Sequence, residues 1–458
     1  MSFFTVEGLS KKSLVLLFLL KIATGIVLTL IYTYHYTYRN NSDAFRYFDD
    51  ARIIYDALKH SPTDFLRMLT GIDADAEHLQ AYYDQMRNWS RGYNGALYND
   101  NRTVIRFNAL LYLFSTGHYH VHTVFMCFIS FTGLTALYKT FYNYLPHLKK
   151  ALVVAIFLIP SVLFWGSGVL KEGIILFALG MLVYNFHTLV FKKYSTSALG
   201  WLLFSTTILC FLKYYVLIAL SPSMVALLWT RNSTARTGLK YCSVLFLFFL
   251  FVAAAHLLSA NYDPLKNLAI KQADFINLAR GGTYLYNDKH LLYIRPEDRS
   301  SFIPTGSDST YKIQDGSSYD YWTVNNLDNK LKQTNSHDTA TYKLAWDITP
   351  AGSRINIPEL EPTLWSFVKN TPNALFNTLF RPFVFESFSP FILFAGLENL
   401  VLMILIFLCI LFPSPNPDRR LAWFCFSFVF IIFILVGLVT PVAGAIVRYK
   451  VPALPFLL

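Results

Sequence analysis

Apolar residues in this 458-residue chain fall in long blocks separated by short polar breaks. A helix needs about 20 apolar residues, at 1.5 Å rise each, to cross a bilayer. Six blocks approach or reach that length: 12–34, 120–138, 170–190, 240–259, 389–411 and 421–440. Three others are shorter and interrupted. Residues 151–166 end at Trp165-Gly166-Ser167-Gly168, and 198–212 and 215–230 flank Lys213-Tyr214-Tyr215. A last run, Val451 to Leu458, is too short to span and is expected to be incomplete. The pattern predicts an all-α polytopic transmembrane protein of about ten spans, with eight to twelve as the range, including short or broken helices.

The division that follows is a first transmembrane helix at 1–34 and a loop with amphipathic helices at 35–119. A transmembrane core at 120–259, a cap with an interfacial helix at 260–388 and C-terminal helices at 389–458 complete it. The stretch 260–370 is rich in Asn, Asp, Ser and Thr, with turn signals at Asp315-Gly316 and Thr349-Pro350. A structureless loop of that length is unusual, so a small irregular cap is expected. No internal repeat is visible, which disfavours an inverted-repeat transporter.

Composition strengthens the membrane reading. Hydrophobic residues make up 54% of the chain and charged residues 15%, against about 25% charged in soluble domains. The net charge of +11 sits largely in clusters between apolar blocks: Lys11/Lys12, Lys149/Lys150, Lys192/Lys193, Arg231/Arg236/Lys240 and Arg419/Arg420. Such clusters mark cytoplasmic loops. They put the N-terminus in the cytoplasm and both long polar segments outside. Without a glycine-rich RNA motif or zinc-finger spacing, this charge does not point to nucleic acid. All five cysteines lie in apolar runs, so no disulfide framework is expected. The first block lacks a small-x-small cleavage site and reads as a retained helix.

Candidate chemistry lies in ionisable residues near or inside the apolar blocks, which are costly in lipid. Asp43, Asp49 and Asp50 follow the first block, as a base, a cation site or simply a solvated helix start. Lys171 and Glu172 follow the Gly-Ser-Gly turn, where free N–H groups and a cation suit a phosphate; a neutralised structural pair is the plainer alternative. Lys213 breaks an apolar stretch, and Arg106 and Arg448 fall on the same outer side. Arg381 and Glu386 belong to an amphipathic segment over 372–386, and Glu398 lies about two turns into a span. Arginine grips phosphate in a bidentate way. Apart from these, the middle of the membrane looks nearly empty of charge. His118, His120 and His122 alternate on a helix and face apart, so they do not make a metal site. No Walker A, Rossmann, His-Glu-x-x-His or serine-elbow motif supports other chemistries.

Three motifs carry a resemblance: Pro160…Trp165-Gly-Ser-Gly-x-x-Lys171-Glu172, Leu379-Phe-Arg381-Pro-x-x-x-Glu386, and Val447-Arg448-Tyr449-Lys450-x-Pro-x-Leu-Pro455. In these the chain resembles bacterial envelope proteins of the O-antigen and exopolysaccharide polymerase-like group and the GT-C-type polyprenyl-phosphate-dependent glycosyltransferases. The resemblance implies an acidic residue in the first outer loop, matched by Asp43, Asp49 and Asp50, and outer-face arginines, matched by Arg381 and Arg448. The expected function is transfer or polymerisation of a glycan from an undecaprenyl-(pyro)phosphate carrier to a hydroxyl, at the periplasmic face of the bacterial inner membrane. Glu172, Asp49, Asp43, Glu386 and Glu398 are the candidate catalytic carboxylates, and Lys171, Arg381, Arg448, Lys213 and Arg106 the phosphate-binding cations. No cofactor is required, although Mg or Mn held by Asp49 and Asp50 fits a GT-C-like loop. Membrane lipids, the polyprenyl-linked glycan and envelope-assembly proteins are the expected partners. The rival reading is a transporter, a flippase or a subunit of a secretion or surface-assembly machine.

Overall fold

Each long apolar block folds as a helix in the computed structural model. It describes residues 2–34, 39, 42–89, 99–192, 194–258, 263–287, 289–305, 310–314, 317, 319–323, 326–333, 340–386, 389–413 and 418–458. Helix α1 (Lys11–Tyr34) leads to α2 (Asp43–His60), α3 (Pro62–Thr70), the short α4 (Gln80–Tyr83) and α5 (Asp100–Ser115). After α6 (Tyr119–Tyr142) come α7 (Lys149–Val153), a π-helical turn at Val154–Leu158, and α8 (Pro160–Trp165). Then follow α9 (Lys171–Phe191), α10 (Thr196–Thr230), α11 (Thr237–Leu258) and α12 (Pro264–Arg280). Beyond a sheet lie α13 (Leu364–Phe380), α14 (Pro390–Leu411), α15 (Arg419–Val439), α16 (Ala443–Tyr449) and α17 (Leu454–Leu457). Asn99, Ser195, Asp263 and Asp418 cap their helices through side-chain oxygens, and Pro160, Pro264 and Pro390 start theirs.

Among the described residues, seven helices are long and apolar enough to cross a membrane: α1, α6, α9, α10, α11, α14 and α15. Leu16 and Leu19 on α1, Phe246 and Phe251 on α11, and Ile404 and Phe407 on α14 stay exposed. So much outward apolar surface marks a protein that lipid covers.

Helices α6 and α9 run parallel, with their backbones in contact at Gly133 and Gly180. Gly173 lies against Met126, and farther along the Tyr144 ring lies 5.3 Å from that of His187. Parallel neighbours require the chain between them to return, and α7, the π-turn and α8 make that short, broken return. Helix α10 is 35 residues long but leaves helical geometry at Lys213 (φ −151°, ψ 74°). Lys213 lies beside Asp100 and Lys171 at the start of α9, while Leu227 shares a small cavity wall with His187 near the end of α9. Thr196 follows Phe191 by five residues, so the chain reverses at Lys213.

The polar stretch differs from the irregular cap expected of it. It forms a seven-stranded antiparallel sheet, β1 (Gly282–Tyr286), β2 (His290–Ile294), β3 (Phe302–Pro304), β4 (Thr310–Ile313), β5 (Tyr319–Thr323), β6 (Asn326–Gln333) and β7 (Thr341–Ile348), in the order β3-β4-β7-β1-β2-β5-β6. Leu285, Leu292, Ile294 and Tyr342 pack on one face and Tyr284, Leu291 and Tyr293 on the other. The protein is therefore mainly, not wholly, α. The expected turn at Asp315-Gly316 lies outside the described residues. Gln272 on α12 ties the sheet's exit segment to the bundle, bonding the Pro358 and Leu438 carbonyls and the Leu360 amide.

Candidate functional site

Six charged side chains from five separate elements meet at the end of the bundle where α9 begins. Lys171 Nζ lies 2.6 Å from Asp100 Oδ2, and Lys213 Nζ lies 3.4 Å from the same oxygen. Arg448 grips Glu172 with two parallel bonds, Nε to Oε1 at 2.6 Å and Nη2 to Oε2 at 3.1 Å, and reaches Asp43 Oδ2 through Nη1 at 3.1 Å. Trp165 lies 5.5 Å under the Arg448 guanidinium, and Lys213 faces the rings of Tyr215 and Tyr449. A lysine at a helix N-terminus opposes the helix dipole, and Asp100 offsets that cost at Lys171.

Three cations thus balance three carboxylates. Arg448 carries five N–H donors and spends three on these bonds. The Glu172 side chain is 4% exposed, whereas Asp43 keeps 42% of its side chain open. Asp43 is therefore the carboxylate of this group that solvent or a substrate reaches most readily. Burial pushes its carboxyl up, but the charges of Arg448 and Lys171 and the Arg448 bond outweigh that and hold it below its usual value. A lowered native value stabilises the fold above the unfolded value of 3.8 and is lost as pH falls through the native one. Asp43→Asn is expected to flatten that acid limb of a thermal-unfolding pH series, modestly because solvent screens a half-open pair. An unchanged limb would remove Asp43 from the network.

Compared with protein-family models, with curated proteins and with solved structures, the chain matches none.

Of the sequence candidates, Lys171, Glu172, Lys213, Arg448 and Asp43 come together. The others do not. Arg106 Nε bonds the Met68 carbonyl at 2.8 Å and its guanidinium lies over Trp89. Asp49 is held by Arg39, with Nη2 to Oδ1 at 2.7 Å and Nε to Oδ2 at 2.9 Å. Both oxygens of Asp50 accept backbone amides, from Arg87 at 2.8 Å and Asn88 at 2.7 Å. Burial raises the Asp50 carboxyl against the pull of those amides. Among the described residues no group of three or more metal-ligating side chains forms, and Asp49 and Asp50 are each committed elsewhere.

Arg381, Glu386 and Glu398 belong to a second polar group. Arg381 Nε is 3.2 Å from Glu386 Oε1, and the Arg381 carbonyl is 3.4 Å from Lys450 Nζ. Lys450 also donates to Asn399 Oδ1 at 2.8 Å. Glu398 Oε2 accepts the Ser161 amide at 2.7 Å and so caps the start of α8. The Gly-Ser-Gly turn is likewise not an open phosphate cradle. It is buried beneath α1: a Cβ on Gly168 would come within 2.9 Å of Leu28, and one on Gly25 within 2.6 Å of the Ser167 carbonyl.

Two residues missing from the sequence reading matter here. Asp100 is the carboxylate that both lysines share. Its signal was the polar run Asn99-Asp100-Asn101 opening an amphipathic helix. The other is Lys21, fully buried midway along α1, whose Nζ has no hydrogen-bond partner among the described residues. The interior is not as empty of charge as the apolar pattern implied, because one lysine hardly lowers the mean hydropathy of a 24-residue block. Lys21→Met removes a desolvated ammonium and is expected to stabilise by about 1 kcal/mol or more, a rise in Tm of roughly 1 °C or more. A fall in Tm would show that Lys21 has a binding partner that the protein needs.

Proposed function

We propose that this protein is a membrane glycosyltransferase or polysaccharide polymerase acting on an undecaprenyl-(pyro)phosphate-linked glycan at the outer face of the bacterial inner membrane. The observation that carries the reading is the convergence of Lys171, Lys213, Arg448, Asp43, Asp100 and Glu172 at one end of an apolar bundle. The basic pairs gather at the other end, where Arg420 lies over Phe191 and Tyr241 reaches the Arg420 carbonyl. On the positive-inside rule that end is cytoplasmic, together with the N-terminus, and the charged site faces the periplasm. With the broken return before α9 and the reversal at Lys213, the chain makes nine passes up to Thr440. A GT-C-like arrangement accommodates that path.

In this mechanism the acceptor hydroxyl attacks the anomeric carbon as the bond to the carrier phosphate breaks. The phosphate leaves with the electron pair, and Asp43 takes the hydroxyl proton. The unspent donors of Arg448 and Lys213 face the charge growing on the leaving oxygen. Glu172 and Asp100 hold those cations in place, so Glu172 is a positioning residue and not the base. In the second polar group, toward α14, Arg381 and Lys450 supply the cations that suit the lipid-proximal phosphate, beside the Glu386 carboxylate that pairs with Arg381.

The test is mass spectrometry of lipids and glycans from cells carrying wild-type protein or Asp43→Asn. Accumulated lipid-linked donor with loss of a surface glycan in the variant is the expected result. An unchanged lipid-linked pool would sink the enzyme reading. Lys21 favours the rival, since a buried charge below the site is what a transport path would need. Loss of glycan in a stable Lys21→Met variant, with Asp43→Asn active, would move the assignment to a flippase.

A further inference from the structure

Outside the charged core, α12 and the segment after the sheet enclose a cleft of about 210 Å³. A single buried water needs roughly 10–15 Å³ on the same measure, so the cleft holds a group many times larger. Arg280 from the last turn of α12 and Arg354 from the facing segment line it, with Asn356, Glu359, Ile276 and Pro441. Arg354 is exposed and has no ion pair among the described residues. Arg280 has only a loose partner, Glu359 at 3.8 Å, whose side chain is 74% exposed.

The walls are held by backbone. The Ile355 amide donates to Pro441 O at 2.7 Å, the Ala443 amide to Ser353 O at 2.8 Å, and the Ala351 amide to Ala279 O at 2.9 Å. Arg354 and Val442 form a β-bridge between them. Two guanidinium groups are thus carried on walls fixed by main-chain bonds, which is the preorganisation that oxyanion binding rewards.

We propose that this cleft binds an oxyanion, phosphate or carboxylate, carried on a hydrophilic ligand. Glu359 on the rim covers Arg280 until the ligand displaces it. The cleft also adjoins the core: Phe275, next to Ile276 on α12, packs 6.2 Å from Tyr449, whose ring faces Lys213. The binding assignment does not rest on the transfer reaction.

The test is calorimetric titration of the purified full-length chain in detergent at low salt, with inorganic diphosphate and separately with a galacturonate trimer. Saturable binding of at least one is expected, weakened by about tenfold or more in Arg354→Gln and in Arg280→Gln. Gly200→Ala, which touches neither site, should leave that binding unchanged. Binding of diphosphate alone would identify a phosphate group as the occupant, and binding of the trimer alone an acidic glycan. Two results overturn the proposal: no saturable binding of either probe, or binding that is undiminished in both Arg354→Gln and Arg280→Gln. Because Arg354 is exposed, its variant keeps the fold. Loss of glycan transfer in Asp43→Asn with intact diphosphate binding would separate the two sites.

Discussion

Arg448→Ala is expected to abolish the proposed glycan transfer and to cost about 3–5 kcal/mol of stability, because it strands the buried Glu172 carboxylate without its partner. Stability loss alone would explain the missing product, so the informative variant is the double one. Replacing both members, Arg448→Leu with Glu172→Leu, exchanges a buried ion pair for apolar packing, which is often neutral or stabilising. The double variant should recover most of the lost Tm and still make no product, since the donors proposed to face the phosphate are gone. If product returned together with stability, the pair would be a structural strut and Arg448 would have no role in transfer. Thermal unfolding in detergent and glycan mass spectrometry on the same membranes supply both readouts.

Gly180→Val is the second large effect. A Cβ at Gly180 would run into the Gly133 carbonyl, and one at Gly133 would meet the Phe177 backbone. Neither obstacle is the mobile end of a side chain, so α6 and α9 must separate. Overpacking typically costs about 1–3 kcal/mol, and a clash of backbone with backbone belongs at or above the top of that range. Small residues at such contacts let helices in lipid approach closely enough for dispersion to hold them. Gly200→Ala is the control: nothing lies within 4 Å of its Cβ position, and alanine favours the helix. Size-exclusion profiles should show Gly180→Val lost to aggregate and Gly200→Ala unchanged. A monodisperse Gly180→Val with wild-type Tm would mean that the seam carries little of the fold.

Most of the helical architecture was legible because lipid imposes one strong rule, an unbroken apolar run of spanning length. Blocks such as 170–190 and 389–411 emerge as Lys171–Phe191 and Pro390–Leu411. The break at Lys213 was also readable, since a lysine between two apolar runs has few other places to go. The sheet was missed for the opposite reason. Its strands are only three to eight residues long, and the Tyr-Leu-Tyr and Tyr-Asp-Tyr-Trp segments of β1 and β5 were submerged in Asn, Ser and Thr. The site was legible only by type. Sequence marks Lys171 and Arg448 as charges near lipid, but pairing Glu172 with a residue 276 positions away is a product of packing. Asp100 was lost for the same reason, since its lysine partners lie 71 and 113 residues along the chain.

The glycine seam between α6 and α9 also has a bearing on how the chain is made. Because these two helices point the same way, they cannot meet as a simple hairpin. The broken return through α7 and α8 has to be threaded first. Gly133 and Gly180 are 47 residues apart, and at roughly 5–20 residues per second of synthesis α6 waits several seconds in the bilayer with its groove empty. During that interval the groove is open to any small-faced helix nearby, including the same helix of a second nascent chain. An insertion factor that shelters α6 until α9 arrives would therefore raise the yield of this protein more than that of a bundle built from consecutive hairpins.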